Sequence, residues 1–199
     1  MNFRDTYKDN KKAILEIRSA QDKSVNVSFP AFLTSFGNKF NSQWSEEVVY
    51  GRQDPIGTFQ STKRTINVGF NIVSYDLADA KVNMNNINNL IKMLYPSYTD
   101  STGQEGAKLN ALVMSKAPLV ELKLANLIQE QNAYDNFLLG WIGSWSADPV
   151  LEMGMFTDSG KLYPKVYNAT LDFTPQHRVD LAFNKPTTGD KAKFPYDGG

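Results

Sequence analysis

The side chains able to do chemistry are few in this chain and poorly spaced to act together. There is one histidine, His177, in the run T-P-Q-H-R-V-D, and no cysteine. That composition excludes disulfides, thiolate zinc sites, iron–sulfur clusters and cysteine nucleophiles, and leaves carboxylates alone to hold any metal. No D-x-D-x-D-G calcium loop is present. Glu46 and Glu47 are adjacent, so on a strand they point to opposite faces and cannot work as a pair. Asp148, Glu152 and Asp172 are scattered acids that the sequence gives no shared pocket, whereas glycoside hydrolysis needs two placed carboxylates. No G-x-S-x-G elbow, phosphate loop or dinucleotide fingerprint occurs. A lone histidine near a strand end reads as structural. The expectation is a protein that is not an enzyme and has no catalytic, cofactor or metal residues.

Trp44, Trp141 and Trp145 are candidates for stacking on a sugar or a base. Base stacking normally comes with a basic groove, and here only Lys8, Lys11 and Lys12 cluster. Packing in a core or an interface is the simpler reading. A small tryptophan-based glycan-binding module remains the alternative function.

The elements that must carry these residues follow from composition and periodicity. With 199 residues, 41% of them hydrophobic and 12% aromatic, the chain fits one domain with a sizeable core. Lysine plus arginine and aspartate plus glutamate are both 21, so the net charge is zero. Neutrality gives no footprint for nucleic acid or an anionic membrane surface. The polar start of the chain lacks a signal-peptide core, and no apolar run reaches the roughly 18 residues of a membrane span. Synthesis in a cytoplasm and no membrane insertion are expected.

Residues 1–12 read as a flexible arm, 13–183 as a single domain and 184–199 as an extended tail. A short strand is expected over 13–18, with Leu15 and Ile17 split across the pleat. Val25, Val27 and Phe29 alternate as a half-buried strand that Pro30 ends. Phe32, Phe36, Phe40 and Trp44 recur every four residues. This spacing suits one face of a helix, but the Asn, Ser, Gly and Thr between them favour a long extended excursion over 32–51, with Gly37-Asn38 as a tight turn. Asp54-Pro55 marks a turn. Strict alternation over 64–74 predicts a strand with Ile66, Val68, Phe70 and Ile72 on its buried face. An amphipathic helix follows over about 76–95. It has Asp76 as N-cap, an apolar stripe of Leu77, Ala80, Met84, Ile87, Ile91 and Leu94, and an Asn-rich polar face of Asn83, Asn85, Asn86, Asn88 and Asn89.

Further strands are expected over 118–124, with Val120, Leu122 and Leu124 on one face, over 137–146, and over 163–174, with Tyr167, Ala169, Leu171 and Phe173 alternating against Val166, Asn168, Thr170 and Asp172. The second would put Leu139, Trp141 and Trp145 on one side and Leu138 and Ile142 on the other. Gly140 and Gly143 suit bulges or close backbone approach, and Asp158-Ser159-Gly160 reads as a turn. Strands, one helix, then strands again argue for an α+β fold: an antiparallel β-sandwich or small β-barrel with one packed helix and extended arms.

The run Y-G-R-Q-D-P-I-G-T-F-Q-S-T-K-R-T-I-N-V-G-F-N-I-V-S, residues 50–74, resembles bacteriophage tail baseplate proteins of the contractile-tail type, in which a similar turn and strand precede a helix. The helix end I-K-M-L-Y-P-S-Y is similar too. So are A-P-L-V-E-L-K-L-A-N-L-I, L-L-G-W-I-G-S-W-S-A-D-P-V-L-E-M-G-M-F and L-Y-P-K-V-Y-N-A-T-L-D-F-T-P-Q-H, and the likeness spans roughly 13–181. The resemblance implies a tail-tube-like fold in the virion and a ring, usually six-fold, of the tube-initiator or hub type. Its partners would be copies of itself and other baseplate, hub and tail-tube proteins. Some relatives carry a C-terminal peptidoglycan-binding LysM module, and none is expected here. In such a ring the 32–51 excursion makes sense as an arm lying on a neighbour, with Phe32, Phe36, Phe40, Trp44, Tyr50, Arg52 and Asp54 as the expected contact residues.

Overall fold

The computed structural model describes residues 14–30, 32–100, 112–130, 136–178 and 181. The expected arm over 1–12 and tail over 184–199 lie outside the described residues. Among the described residues there are eleven strands and one α-helix: β1 Ile14–Ser19, β2 Asn26–Pro30, β3 Phe32–Glu47, β4 Ile56–Val73, α1 Leu77–Met93, β5 Ser97–Asp100, β6 Leu112–Lys116, β7 Val120–Leu124, β8 Leu138–Pro149, β9 Met155–Asp158, β10 Lys161–Pro164 and β11 Val166–Pro175. Seven strands form one sheet in the order β2-β1-β7-β8-β11-β4-β3, and every pairing in it is antiparallel. The protein is thus an α+β fold dominated by antiparallel sheet. The ladder does not close into a barrel, because β2 and β3 are its two edges.

Those two edges are nevertheless consecutive in sequence, with one residue between Pro30 and Phe32. The sheet must therefore coil until its ends meet. Aromatic contacts show the result. Phe29 on β2 lies 6.0 Å from Phe70 on β4 and 6.2 Å from Trp145 on β8, ring centre to ring centre. One face of the coiled sheet thereby becomes the core, lined by Leu15, Ile17, Val27, Phe29, Ile66, Val68, Phe70, Ile72, Leu122, Leu171 and Phe173 among others. The alternation read from β4, β7 and β11 is the alternation found. Leu15 and Ile17 share the buried face, two residues apart on one strand, and are not split across the pleat.

A bulge on β8 changes which residues face inward. On β8, Leu171 pairs with Trp145 and Asp172 with Ser144, but Phe173 pairs with Ile142, so Gly143 is the extra residue. This places both Ile142 and Trp145 against the core, where strict alternation had put them on opposite sides. Gly140 is required for a different reason: a Cβ there would collide with the Thr174 carbonyl oxygen. The turn between β9 and β10 has Ser159 at φ 49° and Gly160 at φ 76°, a two-residue hairpin connection of the expected kind. The strand expected over 163–174 is broken at Lys165 into β10 and β11.

The helix is where expected but rotated about its axis. Asp76 caps it by accepting from the Asp79 backbone N–H, and Asp79 accepts from the Tyr75 N–H in return. Its buried positions are Asp79, Ala80, Asn83, Ile87, Leu90 and Met93, while Ile91 is 39% exposed. Asn83, assigned to the polar face by sequence, is fully buried because its amide donates to Ser74 Oγ at 3.0 Å. Asn86 donates to the Ser28 carbonyl at 3.1 Å. The helix thus uses asparagines to satisfy polar groups at the end of β4 and on β2, which a purely apolar stripe could not do.

Candidate functional site

The long excursion is a β-hairpin. β3 has 16 residues and β4 has 18, paired from Phe32–Asn71 to Glu47–Ile56. Gly37 and Asn38 are mid-strand, opposite Asn67 and Ile66, so the turn expected there is absent. The turn sits instead at the tip, where Gly51 has φ 84° and the Arg52 N–H donates to the Val49 carbonyl at 3.2 Å. The strand expected to begin at 64 begins at Ile56. Support from β11 ends at the Phe173–Ile66 rung. Beyond it the two strands continue as a ribbon for about 30 Å, at roughly 3.3 Å per residue.

The arm has one polar and one aromatic face. A bulge at Thr34 separates the Leu33–Phe70 and Ser35–Gly69 rungs, which turns Phe32 outward opposite Asn71 and keeps Phe36 opposite Val68 on the core side. From Phe36 a spacing of four stays on one face of a strand. Phe36 packs against the core, Phe40 is 44% exposed and Trp44 is 58% exposed. A second bulge, at Gln60, brings Phe59 onto this face opposite Trp44. The two rings meet edge to face at 5.3 Å, and Phe59 is 52% exposed. The arm's backbone edge on β4, over 56–65, has no neighbouring strand among the described residues, and β3 is an edge strand throughout. Such a ribbon presents two edges that no strand among the described residues covers, and apolar rings on one face.

Arg64 stands at the root. It is only 4% exposed, its Nε donates to Asn38 Oδ1 at 2.9 Å, and its guanidinium lies 5.4 Å from the Phe40 ring. Of the residues singled out from sequence, Phe40, Trp44, Tyr50, Arg52 and Asp54 are exposed on the arm or its tip, while Phe36 belongs to the core margin and Phe32 to the opposite face. Sequence reasoning missed Phe59 and Arg64. The stretch 56–63 has only Ile56 and Phe59 as large apolar residues, and the bulge at Gln60 shifts their phase, so period-two alternation is invisible there, although its Thr, Phe and Ser content suits a strand.

The possible chemical residues are dispersed. His177 is half-buried just past β11, and burial together with the nearby Arg64 charge lowers its pKa to about 4. Asp172 accepts from Ser144 and Asn67 on the outer sheet face. Lys81 and Asp158 form an exposed ion pair at 2.5 Å that ties α1 to the β9–β10 hairpin; it holds the lysine pKa up and the aspartate pKa down. Among the described residues no three His, Cys, Asp or Glu side chains come together as a metal site. None of the described helices is long and apolar enough to cross a membrane. The three tryptophans do not share a face: Trp145 packs in the core, Trp141 projects from the outer side of β8 opposite Thr174, and Trp44 is on the arm.

No protein-family model matches the sequence, and no curated protein matches it. Several solved structures are similar in fold at low identity. The Dit protein of phage SPP1, described as a paradigm of the hub adsorption apparatus in phages infecting Gram-positive bacteria, is 10% identical with a TM-score of 0.36. That match covers 81% of this chain but 49% of the Dit chain, so this chain spans about half the length of that protein. A chain from the tail of an empty GTA particle, refined with six-fold symmetry, is 11% identical over 86% of this chain and 96% of its own, with a TM-score of 0.35. A chain of the six-fold symmetrised anti-feeding prophage baseplate is 6% identical over 82% and 87%, with a TM-score of 0.34.

Proposed function

We propose that this chain is a non-catalytic structural subunit of a phage tail baseplate, built into the virion as a ring that starts or joins the tail tube. The observation that carries the reading is the β3–β4 arm. A ribbon about 30 Å long with an exposed aromatic face and two open backbone edges buries little of its own surface. It is stable in water only marginally unless another chain covers it. A repeated contact of one arm with the next copy is heterologous, and such contacts close into rings when the rotation allows.

The Y-G-R-Q-D-P-I turn that carries the baseplate resemblance forms the tip of this arm. The reading draws support from this coincidence of the motif with the exposed arm. The solved chains similar in fold come from tail, hub and baseplate assemblies, while the reading itself rests on the arm and the motif. Six-fold symmetry, self-association and contacts with hub and tail-tube proteins belong to the same proposal. A glycan-binding module draws no support from the arrangement, because a sugar platform needs its rings on one face and the tryptophans are spread over core, outer sheet and arm.

The experiment is mass analysis of purified tailed particles from a host expressing the gene, with electron microscopy of the isolated protein. The expected result is the protein in the particles at ring stoichiometry, and closed rings in the micrographs. A protein absent from particles overturns the reading.

A further inference from the structure

We propose that the β3–β4 arm of one copy docks on the opposite end of the next copy's sheet, on an apolar surface formed by Leu151, Met153 and Leu162. This rests on the arm being an assembly element, and it names the surface that receives the arm. β4 spans both ends. The arm leaves the sheet beyond the Phe173–Ile66 rung, and the far end lies at the Val73–Val166 rung.

The backbone at the far end is pinned from several sides. The Ser74 N–H donates to the Lys165 carbonyl at 2.8 Å, and the Val150 N–H donates to the Val166 carbonyl at 2.9 Å. The Lys165 N–H in turn donates to the Gly154 carbonyl at 3.3 Å. Between these points, residues Leu151–Met153 form a 3-10 turn. The Met153 N–H donates to the Val150 carbonyl at 3.2 Å, and Gly154 closes the turn at φ 79°. The β9–β10 hairpin starts directly after it, with Pro164 opposite Met155 and, two rungs on, Leu162 opposite Thr157. The Lys81–Asp158 pair ties that hairpin to α1. Yet Leu151, Met153 and Leu162 are 68%, 59% and 58% exposed. A fixed backbone that holds three large apolar side chains in water is a preformed docking surface. Methionine also adapts its shape to a partner.

The arm supplies the matching surface. Trp44, Val48, Tyr50 and Phe59 are all more than half exposed. Together they leave on the order of 600 Å² in water, at roughly 200 Å² for a whole aromatic side chain. That is most of the ~800 Å² that one partner contributes to a standard interface. The two surfaces differ and lie at opposite ends of one strand, which is what a head-to-tail contact repeated from copy to copy requires. The chain's zero net charge sets up no long-range repulsion between copies.

Native mass spectrometry of the full chain tests the pairing of these two ends. The wild-type chain should self-associate. Leu151→Glu with Met153→Glu removes the receiving surface, and Trp44→Glu with Phe59→Glu removes the arm's. Each variant keeps the other surface, so each alone should be monomeric, while an equal mixture should give a 1:1 heterodimer and nothing larger. Leu151→Ser with Met153→Ser adds no charge and should weaken self-association at least tenfold at an unchanged melting temperature, which separates docking from folding. Full assembly in both Leu151/Met153 variants would overturn the proposal and leave the arm contact standing on some other surface. A mixture that gives no heterodimer would also overturn it. So would a monomeric wild-type chain, with the baseplate reading then judged by the particle analysis alone.

Discussion

Arg64 shows what one residue contributes when its neighbours are known. In the sequence it is one charge in S-T-K-R-T, and nothing marks it from Lys63. In the fold it occupies a core-side position of β4 where the apolar face gives way to the arm. There its Nε donates to an amide oxygen and its guanidinium faces a ring, contacts that suit a planar guanidinium better than an ammonium. Gly143, Thr34 and Gln60 act at the same scale, each shifting register by one residue and so reversing which side chains face the core. Glycines 140 and 143 were legible as sites of bulge or close approach; the bulges at Thr34 and Gln60 were not, because neither residue type marks one. His177 yields a residue-level prediction. Its folded pKa of about 4 lies below the ordinary value of 6.5, so between those pH values the unfolded chain binds the proton and the folded chain does not. Stability is therefore full above about pH 6.5 and falls as pH drops towards 4, by on the order of 1–2 kcal/mol after discounting for solvent screening. Urea midpoints at pH 7 and 4.5 should show that loss in the native protein and a smaller one in His177→Gln; equal slopes would place the histidine in water.

Among elements, α1 separates what periodicity can and cannot fix. Its length, N-cap and position after β4 were all readable, because capping and amphipathic spacing are local. Its rotation was not, since two of its inward residues are Asp79 and Asn83, held by Tyr75 and Ser74. A polar side chain is drawn inward when a strand end offers it a hydrogen bond, and hydrophobicity alone does not register that. The two phases make different predictions. Ile87 lies on the apolar stripe in both, so Ile87→Asp should cost several kcal/mol and leave little soluble protein. Ile91 lies on the stripe only in the sequence reading, and at 39% exposure Ile91→Asp should change stability by less than about 1 kcal/mol. Thermal melting of the two variants decides between the phases, and equal damage would restore the sequence-based one. The hairpin was legible as an extended arm from its Asn, Ser and Gly content. Its full length was hidden, because a strand with solvent on both sides has no reason to alternate.

At the scale of the molecule, a coiled seven-stranded sheet holds the core and a ribbon reaches beyond it. The aromatic rings on that ribbon are dispensable for folding if assembly is their purpose. Trp44→Glu with Phe59→Glu should therefore keep the melting temperature within about 3 °C, the effect of under 1 kcal/mol, while self-association is lost in native mass spectrometry. A large drop in melting temperature would instead make the rings part of the fold. Sequence by itself determined the class, the strand faces of β4, β7 and β11, the helix and its cap, and the poverty of chemical groups. Each of these is written in periods of two or 3.6, or in composition, and needs no knowledge of distant partners. The tertiary structure alone decided the strand order, the meeting of the two sheet edges across one residue, the bulges and the gathering of Arg18, Glu121, Glu130 and Arg178. Those depend on pairings between residues far apart in the chain, such as Arg18 with Glu121, 103 positions apart. The energy of such a pairing resides in geometry that no local pattern encodes.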